Sequence, residues 1–185
     1  RVKVPFHFKP HMELADLDRA SAMAAEFTGD WVTSGFVKMF QDGVVDSRTA
    51  FMLHDYPGTT ERGAPLFEAE RFKDICREIS RRDLQIAVHA IGDGAVRQTI
   101  YGYEAAGRPD LRHRIEHIEL IDRADVPRLG ALGITASVQP PHPPGAMDFP
   151  MSTMDQVFHR ERWRDAYLTR ALGEHGAPLA FASDW

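Results

Sequence analysis

Short apolar runs alternate along the chain with amphipathic stretches of helical period. The runs at 2–8, 34–41, 85–91, 112–119, 133–139 and 178–184 read as strands, and the segments at about 15–27, 66–82, 94–107, 122–131 and 158–175 read as helices between them. Repeated βα units of this kind imply a parallel sheet. Two connections are longer than a crossover needs, 42–65 and 140–157, both rich in Gly, Pro and Asp and both following a strand. Long loops on one side of successive parallel strands are where an α/β protein usually carries its site.

The faces of the strands separate an open doubly wound sheet from a closed (β/α)₈ barrel. In 178–184, Ala180, Ala182 and Asp184 share one face while Leu179 and Phe181 share the other. In 133–139, Thr135, Ser137 and Gln139 oppose Ile134, Ala136 and Val138. A sheet covered by helices on both sides is apolar on both faces, whereas a barrel wall has one small or polar face near its mouth. The pattern therefore predicts an α/β chain of the TIM-barrel type. Such barrels run to about 250 residues, so the chain is expected to be most of one, with its beginning missing.

Composition narrows the function. The chain has 185 residues, and 22 basic against 27 acidic residues give a net charge of −5. A chain of this size buries roughly 70% of its unfolded surface and needs no disulfide or structural metal. The lone Cys76 reads as a small core residue, which makes a reducing cytoplasm the expected compartment. No apolar run approaches the roughly 20 residues of a membrane span, and Lys and Arg form no basic stripe, so neither a membrane nor a nucleic acid is an expected partner.

Four ionisable residues fall at or near the C-terminal ends of predicted strands: Lys38, His89, His117 and Asp184. In a parallel barrel these ends meet at one mouth, where two imidazoles, a carboxylate and a lysine form a ligand set for Zn²⁺ or a similar divalent ion. Each also has a plain structural reading. Lys38 sits among Phe36, Val37, Met39 and Phe40, where burial favours the neutral amine that takes up CO₂ as a carbamate or forms a Schiff base; alternatively it reaches solvent or pairs with Asp42. His89 and His117 singly suit hydrogen-bonded core histidines, and Asp184 suits a turn or helix cap. His113 is expected to pack, His142 in QPPHPPG to reach over the mouth, and Asp93 to cap the following helix, while His7, His11, His54, His159 and His175 are expected to be solvated.

In order along the chain stand Lys38 with the Asp42-Gly43 and Ser47-Arg48-Thr49-Ala50 loop, H-A-I-G-D at 89–93, H-R-I-E-H at 113–117, LGITASVQPPH at 132–142, E-R at 161–162 with Tyr167, and S-D-W at 183–185. This series resembles the amidohydrolase superfamily, in particular the amidohydrolase-3 branch of metal-dependent hydrolases that includes N-substituted formamide deformylases. The resemblance runs over essentially the whole chain. It implies a partial (β/α)₈ domain over 1–185, about strands 3 to 8, lacking the first strands with their H-x-H motif and the family's small β-sandwich. It also implies one or two divalent ions, expected to be Zn²⁺. Lys38 is then a carboxylated bridging lysine, His89 and His117 bind one metal, and Asp184 binds the other and acts as general base and proton shuttle. Arg48, Gln139 and His142 become substrate contacts.

The expected activity is hydrolysis of an amide or other C–N bond of a small-molecule amide-type substrate by a metal-activated water. Two alternatives stay open: a Schiff-base lyase using Lys38, and a non-catalytic fragment. Open strand edges would favour association, so a homo-oligomer is within the expectation.

Overall fold

The computed structural model describes residues 1–146 and 150–184, so Trp185 of the S-D-W motif lies outside the described residues. The strands are β1 (Val2–Lys3), β2 (Phe6–His7), β3 (Val32–Thr33), β4 (Phe36–Phe40), β5 (Gln85–Ala90), β6 (Arg114–His117), β7 (Thr135–Val138) and β8 (Leu179–Phe181). The α-helices are α1 (Leu17–Glu26), α2 (Ala69–Arg81), α3 (Asp93–Ala106), α4 (Val126–Ala131), α5 (Ser152–Val157) and α6 (Thr169–Glu174).

Six strands form one parallel sheet in the order β2-β4-β5-β6-β7-β8. A doubly wound sheet reverses direction at a switch point. Here the strands of this sheet follow one another in chain order, with only β3 of the separate ribbon intervening, which is the winding of a (β/α)₈ wall. The predicted strand 2–8 is split, because Pro5 has no N–H to give a ladder: β1 pairs with β3 as a separate ribbon, and β2 joins the main sheet beside β4.

The core lies between the sheet and its helices. Val37, Met39, Ile86, Val88 and Ile115 on the outward faces of β4, β5 and β6 pack with Phe72, Ile75, Ile79, Val96 and Ile100 of α2 and α3. Cys76 is fully buried there, as expected. The helices approach closely because α3 presents Gly102, where a Cβ would lie 2.4 Å from the Phe72 ring. On β8 the bulky face is not covered: Leu179 and Phe181 are exposed at the sheet's edge.

A second cluster is built by the loops. Val45, Ala50, Met52 and Tyr56 from the long loop after β4 pack with Ile91, Leu120, Met154, Val157 and Phe158. Two buried carboxylates fasten this layer to the strand ends. Asp42 accepts from the backbone N–H groups of Phe51, Ile91 and Gly92. Asp93 accepts from Leu53 N and from Arg162. It makes no cap hydrogen bond to α3, contrary to the sequence expectation, because its oxygens are turned outward to hold the loop. Gly92 is required here: a Cβ would stand 2.1 Å from the Phe51 carbonyl oxygen.

The predicted helix 158–175 is also divided. A 3₁₀ turn at Arg160–Asp165 ends where Ala166 forms an antiparallel bridge with Leu120, and α6 begins at Thr169. Tyr167, left-handed at φ 51°, donates its N–H to the Glu119 carbonyl. The interruption lays this segment along the chain that leaves β6.

Candidate active site

The C-terminal strand ends and the loop layer enclose a cavity of about 510 Å³, with His89, His117, Glu119, His142, Tyr167 and Asp184 among its lining residues. A neighbouring hollow of about 310 Å³ shares His117, Glu119, His142 and Tyr167, and adds Gln139. Val44, Val45, Ile91, Pro141 and Ala146 make much of the main cavity's wall apolar.

His89 belongs to the inward face of β5 and is paired in register with Glu116 of β6. Its Nε2 lies 2.9 Å from the carbonyl oxygen of Gly43. A carbonyl only accepts, so Nε2 carries the proton and Nδ1 keeps its lone pair. Burial lowers the His89 pKa, the Gly43 hydrogen bond opposing it. The ring lies 4.5 Å from that of His117, at 66°. His117 is held at about 3 by burial and then by the neighbouring His89, Lys38 and His142, so it is a neutral imidazole at any physiological pH. Its Nδ1 is buried and has no hydrogen-bond partner. Two neutral imidazoles, one fixed in its tautomer by a carbonyl and the other with an unpaired buried nitrogen, suit a bound cation.

Lys38 lies two residues back from the end of β4, deeper than the histidines, and is not among the residues lining the cavity. It faces inward: its Nζ lies 4.9 Å from the Phe40 ring centroid, and Ala87 opposite it in register leaves room. Burial lowers its pKa, while Glu116 and Asp184 pull the other way. It does not pair with Asp42, whose oxygens take backbone N–H groups and whose carboxyl burial pushes up to about 7.

Asp184 lines the cavity three residues beyond the end of β8, in a left-handed conformation at φ 68°. His142 does reach over the mouth, with its ring stacked on that of His117 at 5.6 Å. Its Nδ1 lies 3.2 Å from Glu119 Oε1, and this contact raises its pKa. Gln139 is buried in the side hollow, and its Oε1 has no partner. Arg48 stands elsewhere, on a separate cleft with Thr49, Glu61 and Arg62. His113 packs as expected, accepting from Ile86 N at Nδ1 and bonding Ser80 through Nε2, and His7, His11, His54, His159 and His175 are exposed.

Glu119 and Tyr167 are the site residues that motif reading left without a role. The Tyr167 hydroxyl donates to Glu119 Oε2 at 3.3 Å, while Oε1 faces His142. The sequence signal for Glu119 was its position two residues beyond His117, just past the end of a strand.

The parallel sheet is that of a (β/α)₈ wall, and the imidazoles and carboxylates clustered at its strand ends make a candidate metal site. The chain belongs to the amidohydrolase family, whose model matches residues 1–185. It is 33% identical over 161 residues to Protein LONG AFTER FAR-RED 3 of Arabidopsis thaliana, covering 84% of this chain and 27% of that protein. To the putative amidohydrolase YtcJ of Bacillus subtilis it is 28% identical, covering 98% of this chain and 34% of that one. Among solved structures, uncharacterized metal-dependent hydrolases from Pyrococcus horikoshii and Pyrococcus furiosus superimpose with TM-scores of 0.79 and 0.77, at 28% and 27% identity. Each is matched over 99% of this chain, and the match covers 36% and 37% of the two structures. The chain thus spans about a third of the length of these relatives. No helix among the described residues is long and apolar enough to cross a membrane.

Proposed function

We propose that the protein is a metal-dependent amidohydrolase that cleaves an amide or other C–N bond of a small molecule, with Lys38, His89, His117 and Asp184 holding the metal, expected to be one or two Zn²⁺. The observation that carries this reading is the meeting of His89, His117 and Asp184 around one cavity at the ends of parallel strands. When bound, a divalent ion lowers the pKa of water toward 7 and polarises a carbonyl.

The chain's own residues supply the rest. The Gly43 carbonyl and the burial of both rings keep His89 and His117 neutral and oriented. Buried Lys38, whose pKa burial lowers, is the group that would take up CO₂ to become an anionic carbamate. Asp184 Oδ accepts a proton from water and passes it to the leaving nitrogen. His142 and Gln139 contact the substrate, and the apolar wall of Val44, Val45, Ile91, Pro141 and Ala146 takes its non-reacting part. A cytoplasmic location fits the lone buried Cys76.

The Schiff-base reading is disfavoured because it leaves the two neutral imidazoles that meet at the strand ends without a role, whereas a metal site uses both. The test is amine release from a panel of N-substituted formamides and small amides by the protein at its full natural length, before and after chelation. Release that stops with chelator and returns with Zn²⁺ supports the reading. Failure to cleave any C–N bond in the panel overturns it.

A further inference from the structure

His142 stands on the loop after β7, yet its conformation is fixed from several sides. Pro140, Pro141, Pro143 and Pro144 restrict the backbone around it, and its own N–H donates to the Gln139 carbonyl at 3.0 Å. Its ring lies at 13° to that of His117, and its Nδ1 is 3.2 Å from Glu119 Oε1. We infer that Glu119 is a positioning residue of the site: it fixes the His142 imidazole over the mouth so that Nε2 is presented to the substrate, and Tyr167 fixes Glu119. The inference rests on the hydrolase reading above, in which His142 contacts the substrate.

Three observations carry it. The first is the division of the two ring nitrogens. A carboxylate only accepts, so Nδ1 carries the proton of this hydrogen bond and Nε2 is the nitrogen left over. Nε2 has no hydrogen-bond partner among the described residues, and His142 lines both the main cavity and the side hollow. The second is that Glu119, only 7% exposed, has both carboxylate oxygens engaged, Oε1 by His142 and Oε2 by the Tyr167 hydroxyl. Burial raises the Tyr167 pKa, so this hydroxyl keeps its proton and donates it. The third is the backbone behind the pair. The Tyr167 N–H donates to the Glu119 carbonyl at 2.8 Å, the Thr169 N–H donates to the Tyr167 carbonyl at 2.8 Å, and the bridge between Leu120 and Ala166 ties the two segments together beside them. Tyr167 thus closes on Glu119 with its main chain and its side chain at once.

An imidazole that must meet a ligand in one orientation is commonly held in this way, one nitrogen on a buried carboxylate and the other left to the ligand. The gain is entropic: a ring fixed in advance does not have to be ordered when substrate arrives, an ordering that otherwise weakens binding. Glu119 acts through His142, so its effect depends on that ring being there.

The test is a double-mutant cycle in the full-length protein, using whichever member of the formamide and amide panel the wild type cleaves fastest. Glu119→Ala and His142→Ala should each lower kcat/KM by about tenfold or more, the scale of a lost hydrogen bond to a charged group. In the His142→Ala background, adding Glu119→Ala should cost less than about twofold, because no ring is left to position. Glu119→Gln, whose amide oxygen still accepts from Nδ1, should recover most of the loss. Crystal structures of the wild type and Glu119→Ala give a readout independent of turnover: the His142 ring is expected to leave its stacked place on His117 in the variant. Should Glu119→Ala not fold, Tyr167→Phe carries the same cycle: it removes only a hydroxyl, and it should lower kcat/KM several-fold while His142 is present and leave it unchanged in the His142→Ala background. Equal losses with and without His142, or a ring that keeps its place without Glu119, overturn the positioning role and leave the hydrolase reading standing. A wild-type protein that cleaves no C–N bond overturns both.

Discussion

The His117 imidazole lies edge-on to that of His89, 4.5 Å away, although β6 by regular alternation would place it on the other face of the sheet. Ile115, two residues earlier, packs among the helices. His117 and Ile118 are both left-handed, at φ 79° and φ 51°, and this turns the ring into the mouth. Two non-glycine residues in that region cost of order 1–3 kcal/mol each, strain that the packing of buried Ile118 must offset. If the pair exists to hold a cation, protein purified without chelators carries a divalent metal, and His89→Ala loses most of it. Elemental analysis is the check; less than about a tenth of an equivalent in the full-length wild type would remove the assignment.

Lys38→Ala is expected to lose both metal and activity, because its carbamate would supply an anionic ligand to the metal. Short carboxylates added with metal should restore part of each. Metal content equal to wild type in Lys38→Ala would refute the bridging role.

Asp184→Asn keeps the side-chain volume and a coordinating oxygen but removes the basicity. Most of the metal should stay while kcat falls by roughly 10²–10⁴, the range for loss of a general acid–base group. A near-normal kcat would mean that another residue carries the proton, with His142 the first to examine.

Asp42 holds the loop layer through three backbone N–H groups. Asp42→Ala leaves them unpaired at about 1–3 kcal/mol each, so at least about 3 kcal/mol of stability should be lost. Urea unfolding measures this, and a loss below about 1 kcal/mol would show that water or a shifted loop takes over the bonds.

His113, 3% exposed and away from the mouth, is held at about 4 by burial. In the unfolded chain it titrates near the ordinary histidine value of about 6.5. Its folded pKa is therefore depressed, and the folded state prefers the neutral ring. The stability it contributes is present above about 6.5 and is lost as pH falls toward about 4, a change of about 3 kcal/mol in total. His113→Gln should flatten the unfolding free energy across this window. An unchanged slope would assign the acid sensitivity to other groups.

The order of the elements, the inward placement of Lys38 and His89 and the outward apolar faces of β4 and β5 were legible in the sequence. They follow from period-two alternation and from crossovers that can wind in one direction only. The same local pattern misplaced what depends on distant partners. The strand 2–8 breaks at Pro5 because β1 finds β3, and the helix 158–175 breaks because Ala166 finds Leu120. Asp93 holds a loop because Leu53 and Arg162 come to it, a competition that no capping rule contains. Arg48, grouped with the site by its motif, lines a cleft with Thr49, Glu61 and Arg62. That Glu119, His142 and Tyr167 meet was decided by the tertiary structure. They are up to 48 residues apart, and they meet because left-handed backbone at His117, Ile118 and Tyr167 turns the chain where alternation would have carried it on.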